Sequence, residues 1–427
     1  MAKKIKIAVI GYGDRGSRYS EYVAKNADKA EIVAVVDLQE YRLQQASEKL
    51  GVKKENLFTS FNDFISANIE CDLVINSTMD QMHYETTMAL LDKGYNVLLE
   101  KPITAKKEEL LNIQKKTKEK GVNLFVCHVM RYAPFFVKVK EIINSGKIGE
   151  IIAMEMNEHV SIHHFLCSYV RGRWHSEEEC GSGLLLAKSC HDTDIMCWLN
   201  NFAQPDKVSS FGTRANFIPE KAPKDSAERC LDCKYVDECT YSAKLAHLKC
   251  EDMGFVVWSG IGKPLDQITK EDKIEHLKTS IFGKCAYKID TTLVDRQVVT
   301  VMFKNGAIGT LNLIGGSTKG GRTIHITGTK GEIQGYWESS KFILRIYDGI
   351  NSRFDEHEID VSDLIDSGHM GGDFGIMRDI IKYLAGDKSS ISITDIDDSI
   401  NGHLCVYAAE ESRKSGRIIS IDEISKI

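Results

Sequence analysis

Long hydrophobic runs are missing from this sequence, and so are long runs of one charge. No stretch approaches the roughly 20 uninterrupted apolar residues that span a bilayer, so a membrane protein is not expected. The largest basic clusters, Lys106-Lys107 and Lys115-Lys116, sit in a Glu-rich, helix-like stretch and read as a solvated face. With a net charge of only −6, nucleic acid is excluded as the expected partner. The amino-terminal run IKIAVI is too short for a signal peptide, and no small-residue cleavage site follows it; a cytoplasmic location is expected. Internal repeats and low-complexity tracts are also lacking. What is present is an ordinary globular balance of 42% apolar and 27% charged residues, in a chain of 427 that is too long for one core. Twelve cysteines in a reducing compartment imply free thiols or a metal site rather than a disulfide framework.

The first third alternates strand and helix. Strands are predicted over 5–10, 31–37, 72–78, 96–100 and 122–128, with helices over about 15–27, 38–50, 83–93 and 106–119, several ending at glycine. That rhythm predicts a parallel, doubly wound sheet of Rossmann type over residues 1–130. After a helix over about 134–145, strands follow one another: 150–158, 207–216, 287–303, 307–314, 322–328 and pieces through 357. Asn305-Gly306 marks a hairpin between two of them. Residues 131–427 are therefore expected to form an α/β domain with an open, mostly antiparallel sheet, closed by helices near 373–385 and 397–414 and a strand around 417–421. Residues 218–286 read as an insertion carrying five cysteines.

GYGDRG, residues 11–16, follows the first strand and opens the first helix. In that context Gly11 permits the turn, Gly13 lets backbone approach a pyrophosphate, and Gly16 lets helix and strand pack closely. The helix amino terminus then offers free N–H groups to phosphate. Asp37, closing the second strand, can accept from both ribose hydroxyls and repels a 2′-phosphate, which favours NAD over NADP. Arg42 could attract such a phosphate, but its place in the following helix predicts that it faces water. Lys101, in LLEKPIT, falls at the carboxyl end of a parallel strand, where ligands bind. Partly desolvated beside a cationic nicotinamide it could take a proton; otherwise it is a surface lysine before a turn proline.

GYGDRG, Asp37, a strand ending in NST before a helix that contains His83, and Glu100-Lys101-Pro102 occur in an order and spacing that resembles the Gfo/Idh/MocA family, the relatives of glucose–fructose oxidoreductase and inositol dehydrogenase. RYAPFFVKVKEIINSGKIGEI is similar to the start of that family's second domain. The resemblance spans nearly the whole chain, with 218–286 least typical. It implies tightly held NAD(P), redox chemistry at a sugar or cyclitol carbon, and subunit contacts through the open sheet, hence a homodimer or homotetramer. The cofactor set it implies is Gly11, Gly13, Asp14, Arg15, Gly16, Asp37, Ser77, Thr78, His83, Glu100 and Lys101. In GSGLLLAKSCHDTDIMCWL, His191 matches the family histidine and Asp194 the later aspartate, but Ala187 stands where the family has its first aspartate. Lys188, three residues before His191, can share its helical face; Lys188, His191 and Lys101 are the expected catalytic groups, their charges depressing one another's pKa. Arg131, Tyr132, Arg173, Trp174 and Asp194 are the expected substrate contacts, with His163, His164 and His175 nearby. Arg173 and Trp174 suit a sugar, offering a cation for hydroxyls and a ring face for C–H groups.

Cys230, Cys233, Cys239 and Cys250 have a partial zinc spacing, a CxxC pair followed by two further thiols with His247 as an alternative fourth ligand. A structural zinc, or reduced thiols packed under a lid, both fit. Three functions remain open at this stage: an NAD-dependent sugar, glycoside or cyclitol oxidoreductase, acting for example at C3 of a glycoside; a glycoside hydrolase that oxidises its substrate transiently and recycles NAD; and a dinucleotide-binding regulator without catalysis, suggested by Ala187.

Overall fold

The computed structural model describes residues 3–250, 253–351 and 353–425. Six parallel strands form the first sheet: β1 (Ile5–Ile10), β2 (Ala30–Val36), β3 (Leu57–Phe58), β4 (Leu73–Asn76), β5 (Val97–Leu99) and β6 (Leu124–Val126). Their order is β3-β2-β1-β4-β5-β6, so the chain reverses its direction of travel between β1 and β4. Ile10 is paired with Asn76 at that point, and the loops leaving both strands lie side by side at the carboxyl edge. This is the switch point at which doubly wound sheets bind ligands. The unbroken apolar runs are covered on both faces, as parallel strands require. The sequence patterns missed β3 and the Phe61–Ala67 helix capped by Ser60; a two-residue edge strand is too short to show a period.

The second sheet has nine strands: β7 (Ile151–Ser161), β8 (Pro205–Thr213), β9 (Arg296–Phe303), β10 (Ile308–Ser317), β11 (Gly321–Gly328), β12 (Gly331–Tyr336), β13 (Lys341–Asp348), β14 (Arg353–Asp360) and β15 (Ile419–Ser420). Their order is β14-β13-β12-β11-β7-β10-β9-β8-β15. Only the β7–β10 pair is parallel. The β9–β10 hairpin turns at Asn305-Gly306, where Gly306 has φ +86°. The strand expected over 287–303 begins only at Arg296, because the preceding residues strap down another loop. There Thr291 donates to His175 O and Thr292 accepts from Glu177 N–H.

The Leu184–Leu199 and Ile396–Ser415 helices pack together against one face of this sheet. Every residue of the former except Lys188 is buried, so it runs through the centre of the molecule rather than along its surface. The Gly372–Leu384 helix returns to the first half: Phe374, Met377 and Ile380 join Tyr19, Tyr22 and Val23 in one core. The first half's core is thus completed by residues from the far end of the chain.

Candidate active site

The glycine loop has the geometry its spacing implies. Gly11 has φ +85°, and a Cβ on it would stand 2.5 Å from Ser77 O; one on Gly16 would stand 2.2 Å from Gly11 O. Around Gly13 the nearest atom to such a Cβ is Arg42 Nη1 at 3.6 Å, so that face is open to a ligand. No side chain caps the helix that begins at Asp14, itself exposed. Asp37 is buried and accepts from Tyr12 N–H (2.8 Å) and Gln39 N–H (2.9 Å). These residues fit a dinucleotide: a cradle that a methyl group would fill, a helix with free N–H groups, and a carboxylate at the second strand's end. Arg42 does not face water as expected. It is half-buried, lies over the Tyr41 ring and reaches Asp37 at 3.4 Å, because the short Leu38-Gln39 turn folds its helix back over the loop.

Several of the remaining expected cofactor residues also brace the cradle. Arg15 pairs with Glu100 (3.0 Å) and donates to Asp373 (2.7 Å), while Glu100 also accepts from Tyr19 OH and Lys101 N–H. Although burial would raise it, the pKa of Glu100 lies below its ordinary value because of the Arg15 and Lys101 charges. Ser77 donates to Gly11 O (2.7 Å) and Thr78 to Asn76 Oδ1 (2.9 Å). The ring nitrogens of buried His83 lie 2.7 Å from Pro102 O and 3.1 Å from Thr78 O, tying the loop after β4 to the loop after β5.

Across the cleft, Lys101 Nζ donates to Ala187 O at 2.9 Å. A lysine at the end of a strand in the first half thus reaches the buried helix of the second at the residue where the family's aspartate is absent. His191 lies one turn on. Burial holds its pKa well below 6.5, with the charge of Lys101 next in importance, so it is a neutral base at physiological pH. Its Nδ1 is buried without a partner. Lys188 is not exposed: its ammonium is 3.4 Å from Glu158 of β7, and Arg322 of β11 bridges Glu158 (2.8 Å) and Asp192 (2.7 Å). Burial lowers the pKa of Lys188, and the charges of Arg322 and Lys101 push the same way.

Arg131, Tyr132 and Asp194 are turned away from the cleft, contrary to their expected role. Arg131 donates through Nε (2.7 Å) and Nη2 (2.6 Å) to both oxygens of Asp194 and pairs with Asp398, all but sealed from solvent. Tyr132 OH is spent on Thr394. The bidentate match satisfies both groups internally, leaving no donor for a ligand. Trp174 Nε1 donates to Asp80 (3.0 Å), and its ring stands 5.9 Å from that of Tyr169; Arg173 lies over Trp174 and donates to Met79 Sδ. This pair bridges the two halves beside the loop after β4.

Comparison with known proteins bears on the family and the fold. The model of the oxidoreductase family's NAD-binding Rossmann fold (GFO_IDH_MocA) matches residues 5–128, and that of its C-terminal alpha/beta domain matches residues 140–421, more than half of the chain. The chain belongs to the Gfo/Idh/MocA family of oxidoreductases. Putative oxidoreductase YteT of Bacillus subtilis is 24% identical over 332 residues, 72% of each protein. The scyllo-inositol 2-dehydrogenase (NADP(+)) IolW of the same organism is 28% identical over 206 residues, 48% of this chain and 54% of IolW; the chain spans about half the length of that relative. A structure of levoglucosan dehydrogenase with NADH and levoglucosan superposes at TM-score 0.70 and 16% identity, covering 98% of this chain and 100% of the other, a likeness of fold.

This Gfo/Idh/MocA chain also has polar groups around the cleft that its sequence did not single out. His369 and Asp373 are four residues apart, with His369 Nδ1 donating to Asp373 at 2.8 Å. The His369 ring is 6.4 Å from that of His191, yet 41% of its side chain is open, so it lines the cleft. Asp373 is held below the ordinary carboxylate range: burial would raise it, but His369 and Arg15 outweigh that. His128 stacks edge-on to His191 (5.6 Å) and near His403 (5.4 Å). His164, which the sequence did flag, is driven down to about 2 by burial, then by the charges of Lys188 and Arg322. The H-x3-D spacing of 369–373 was the one local signal. Nothing local joins Glu158, Arg322 and Lys188, which lie on three elements.

Among the described residues no helix is long and apolar enough to cross a membrane. No group of three or more His, Cys, Asp or Glu among them is arranged to hold a metal ion. All twelve cysteines are unpaired. Cys230, Cys233 and Cys239 line one cavity together with Cys285, and Cys250 is not among its lining residues. Between Cys239 and Cys250 the chain forms a wide helical turn, Lys244–Lys249, with Ala246 and His247 buried.

Proposed function

We propose that the protein is an NAD-dependent dehydrogenase that moves a hydride between nicotinamide and a hydroxyl-bearing carbon of a sugar, glycoside or cyclitol. The contact that carries this reading is Lys101 Nζ to Ala187 O, which sets an ammonium beside a neutral histidine at the edge of an open glycine loop. The printed activities of IolW and levoglucosan dehydrogenase support the substrate class. Asp37 supports NAD over NADP, while Arg42, 3.4 Å away, offsets part of its repulsion toward a 2′-phosphate.

When bound, the oxidised nicotinamide supplies the hydride acceptor. Lys101 orients the substrate hydroxyl through Nζ and stabilises negative charge on its oxygen. His191, kept neutral by burial, takes the hydroxyl proton. His369, its Nδ1–H held by Asp373, faces His191 from the open side and offers that proton a route to water. Trp174, half-buried and backed by the buried Tyr169 ring, offers a ring face for sugar C–H groups, which supports a ring substrate and, as the finer reading, a glycoside oxidised at C3. Four exposed apolar residues, Phe211, Val298, Ile308 and Ile314, share the sheet face away from the buried helix and support a homodimer or homotetramer. Twelve free thiols support a reducing compartment, the cytoplasm.

The test is reduced-nicotinamide absorbance across a panel of cyclitols, aldoses and glycosides, with NAD and NADP in parallel. Accumulation of NADH in the wild type and its loss in Lys101→Ala is the expected result. Release of a glycoside leaving group at constant NAD would redirect the assignment to redox-neutral hydrolysis. Dinucleotide binding without turnover of any substrate would leave a regulator.

A further inference from the structure

His191 has no orienting partner on its own helix. One turn before it stands Ala187, whose side chain accepts nothing and whose carbonyl is taken by Lys101 (2.9 Å). The helix's two aspartates are spent elsewhere, Asp192 on Arg322 and Asp194 on Arg131. Yet the two faces of the ring differ: Nδ1 is buried without a partner, whereas Nε2 is not sealed. A neutral imidazole carries one N–H and one bare nitrogen, and the partner of the inner nitrogen decides which is which. A proton on Nε2 would leave the lone pair pointing into the protein, where no substrate can reach it.

The ring on the buried side is His128, which follows β6 and opens the tight turn Val129–Tyr132. It is fully buried and stands edge-on to His191, centroids 5.6 Å apart, and neither of its nitrogens has a hydrogen-bond partner among the described residues. Two adjacent imidazoles with orphaned nitrogens are costly unless they satisfy each other, directly or through one water. His369 does not take this place, since it lies on the open side of His191 with its Nδ1–H on Asp373.

The direction of the bond is set from behind. His128 Nε2 lies 3.6 Å from Asp194 Oδ1, whose carboxylate is paired with Arg131. A carboxylate on that side favours the proton on Nε2 and leaves Nδ1 of His128 as an acceptor. Burial, then the charges of Arg131 and Lys101, hold the pKa of His128 well below 6.5, so the ring stays neutral. His403, the other neighbouring ring at 5.4 Å, accepts from Ile103 N–H through Nε2 (3.0 Å). Its own proton is therefore on Nδ1, beside the Ser399 carbonyl, and it offers His191 no acceptor.

We propose that His128 is a positioning residue: it accepts from His191 Nδ1–H and so fixes the tautomer in which Nε2 of His191 is bare toward the cleft. Arg131, Asp194, His128 and His191 then form one chain from the interior to the site, which gives Arg131 and Asp194 a role behind the substrate rather than against it. The role of His128 in turnover rests on His191 acting as the base of the proposed dehydrogenase; the tautomer itself does not.

The experiment is solid-state ¹⁵N NMR of the full chain labelled with ring-¹⁵N histidine, without substrate and at neutral pH. The His191 signals are those missing from His191→Asn. A protonated Nδ1 and a bare Nε2 are expected in the wild type. His128→Phe keeps the ring volume and removes both nitrogens, and in it His191 should move to the Nε2–H form or to a mixture. On the sugar of the panel that the wild type oxidises fastest, kcat of His128→Phe should fall at least about tenfold, part of the about 10²–10⁴-fold that a positioned base contributes, with KM and NAD affinity unchanged. His128→Asn, which keeps an acceptor near the place of Nδ1, should restore most of the Nδ1–H form and of kcat. A wild-type His191 protonated on Nε2 overturns the proposal, and so does a His128→Phe variant in which His191 keeps its Nδ1–H form. Full turnover by His191→Asn would instead remove His191 as the base, with the spectra still deciding the part played by His128. Should His128→Phe fail to fold, the wild-type spectrum decides alone.

Discussion

The glycine loop and the buried helix that carries His191 face each other across one cleft, and they are built on opposite plans. In the loop the chemistry is backbone: three glycines whose added Cβ atoms would collide or fill the cradle, and a helix end with free N–H groups. Side chains there, Arg15, Glu100, Ser77 and His83, serve mainly to hold main chain in place. On the buried helix the chemistry is side chain, and nearly every polar group is kept in its state by residues remote in sequence. Asp194 belongs to Arg131, Asp192 to Arg322, Lys188 to Glu158. A region built from backbone tolerates most changes except at its glycines. A region built from buried charge is sensitive to any neighbour that loses its partner.

Substitutions can sharpen or break that contrast. Lys101→Ala should lower kcat by about 10²–10⁴-fold, the usual range for a group aiding proton transfer, while fluorescence titration still reports dinucleotide binding. Equal loss of binding would place Lys101 among the cofactor braces instead. Arg322→Met leaves Glu158 and Asp192 facing each other without their shared cation, and should cost roughly 3–5 kcal/mol in denaturant unfolding. Gly16→Ala puts a methyl group 2.2 Å from Gly11 O and should cost about 1–3 kcal/mol together with dinucleotide affinity. A variant that bound dinucleotide normally would contradict the backbone account of the loop.

The pH dependence separates the two plans further. His191 has its pKa lowered, so its base form persists as pH falls through the ordinary histidine value of 6.5. The acid limb of kcat should therefore lie below that value; a limb near 6.5 that disappears in His191→Asn would show a solvated histidine instead. Arg42→Ala should have the smallest effect, shifting the NADP-to-NAD preference toward NAD by about 1 kcal/mol or less, roughly fivefold, in paired kcat/KM measurements.

The strand–helix rhythm of the first 130 residues, the hairpin at Asn305-Gly306 and the turn and close packing at Gly11 and Gly16 were legible because they follow from steric rules acting within a few residues. Arg131 and Asp194 were misjudged for the opposite reason. Polar residues near a site look alike in one dimension, whether they face a ligand or each other, and only their 2.6 Å contact separates the cases. Arg42 was expected in water because helix periodicity says nothing about how the helix is tilted over the loop. Cys250, or His247 in its place, was expected to join Cys230, Cys233 and Cys239 because proximity in the chain was the only guide; the Arg229–Lys284 bridge instead brings Cys285 to their cavity.

Local steric preference and apolar periodicity were enough to specify the sheet of the first half, its glycine turn and the carboxylate at Asp37, since each depends on neighbours within one strand–helix unit. Which buried charges pair, which histidines are neutral and which thiols share a cavity are settled only on folding. Desolvation and Coulomb energy depend on distance in space, and residues 15 and 373, 158 and 322, or 230 and 285 become neighbours nowhere else.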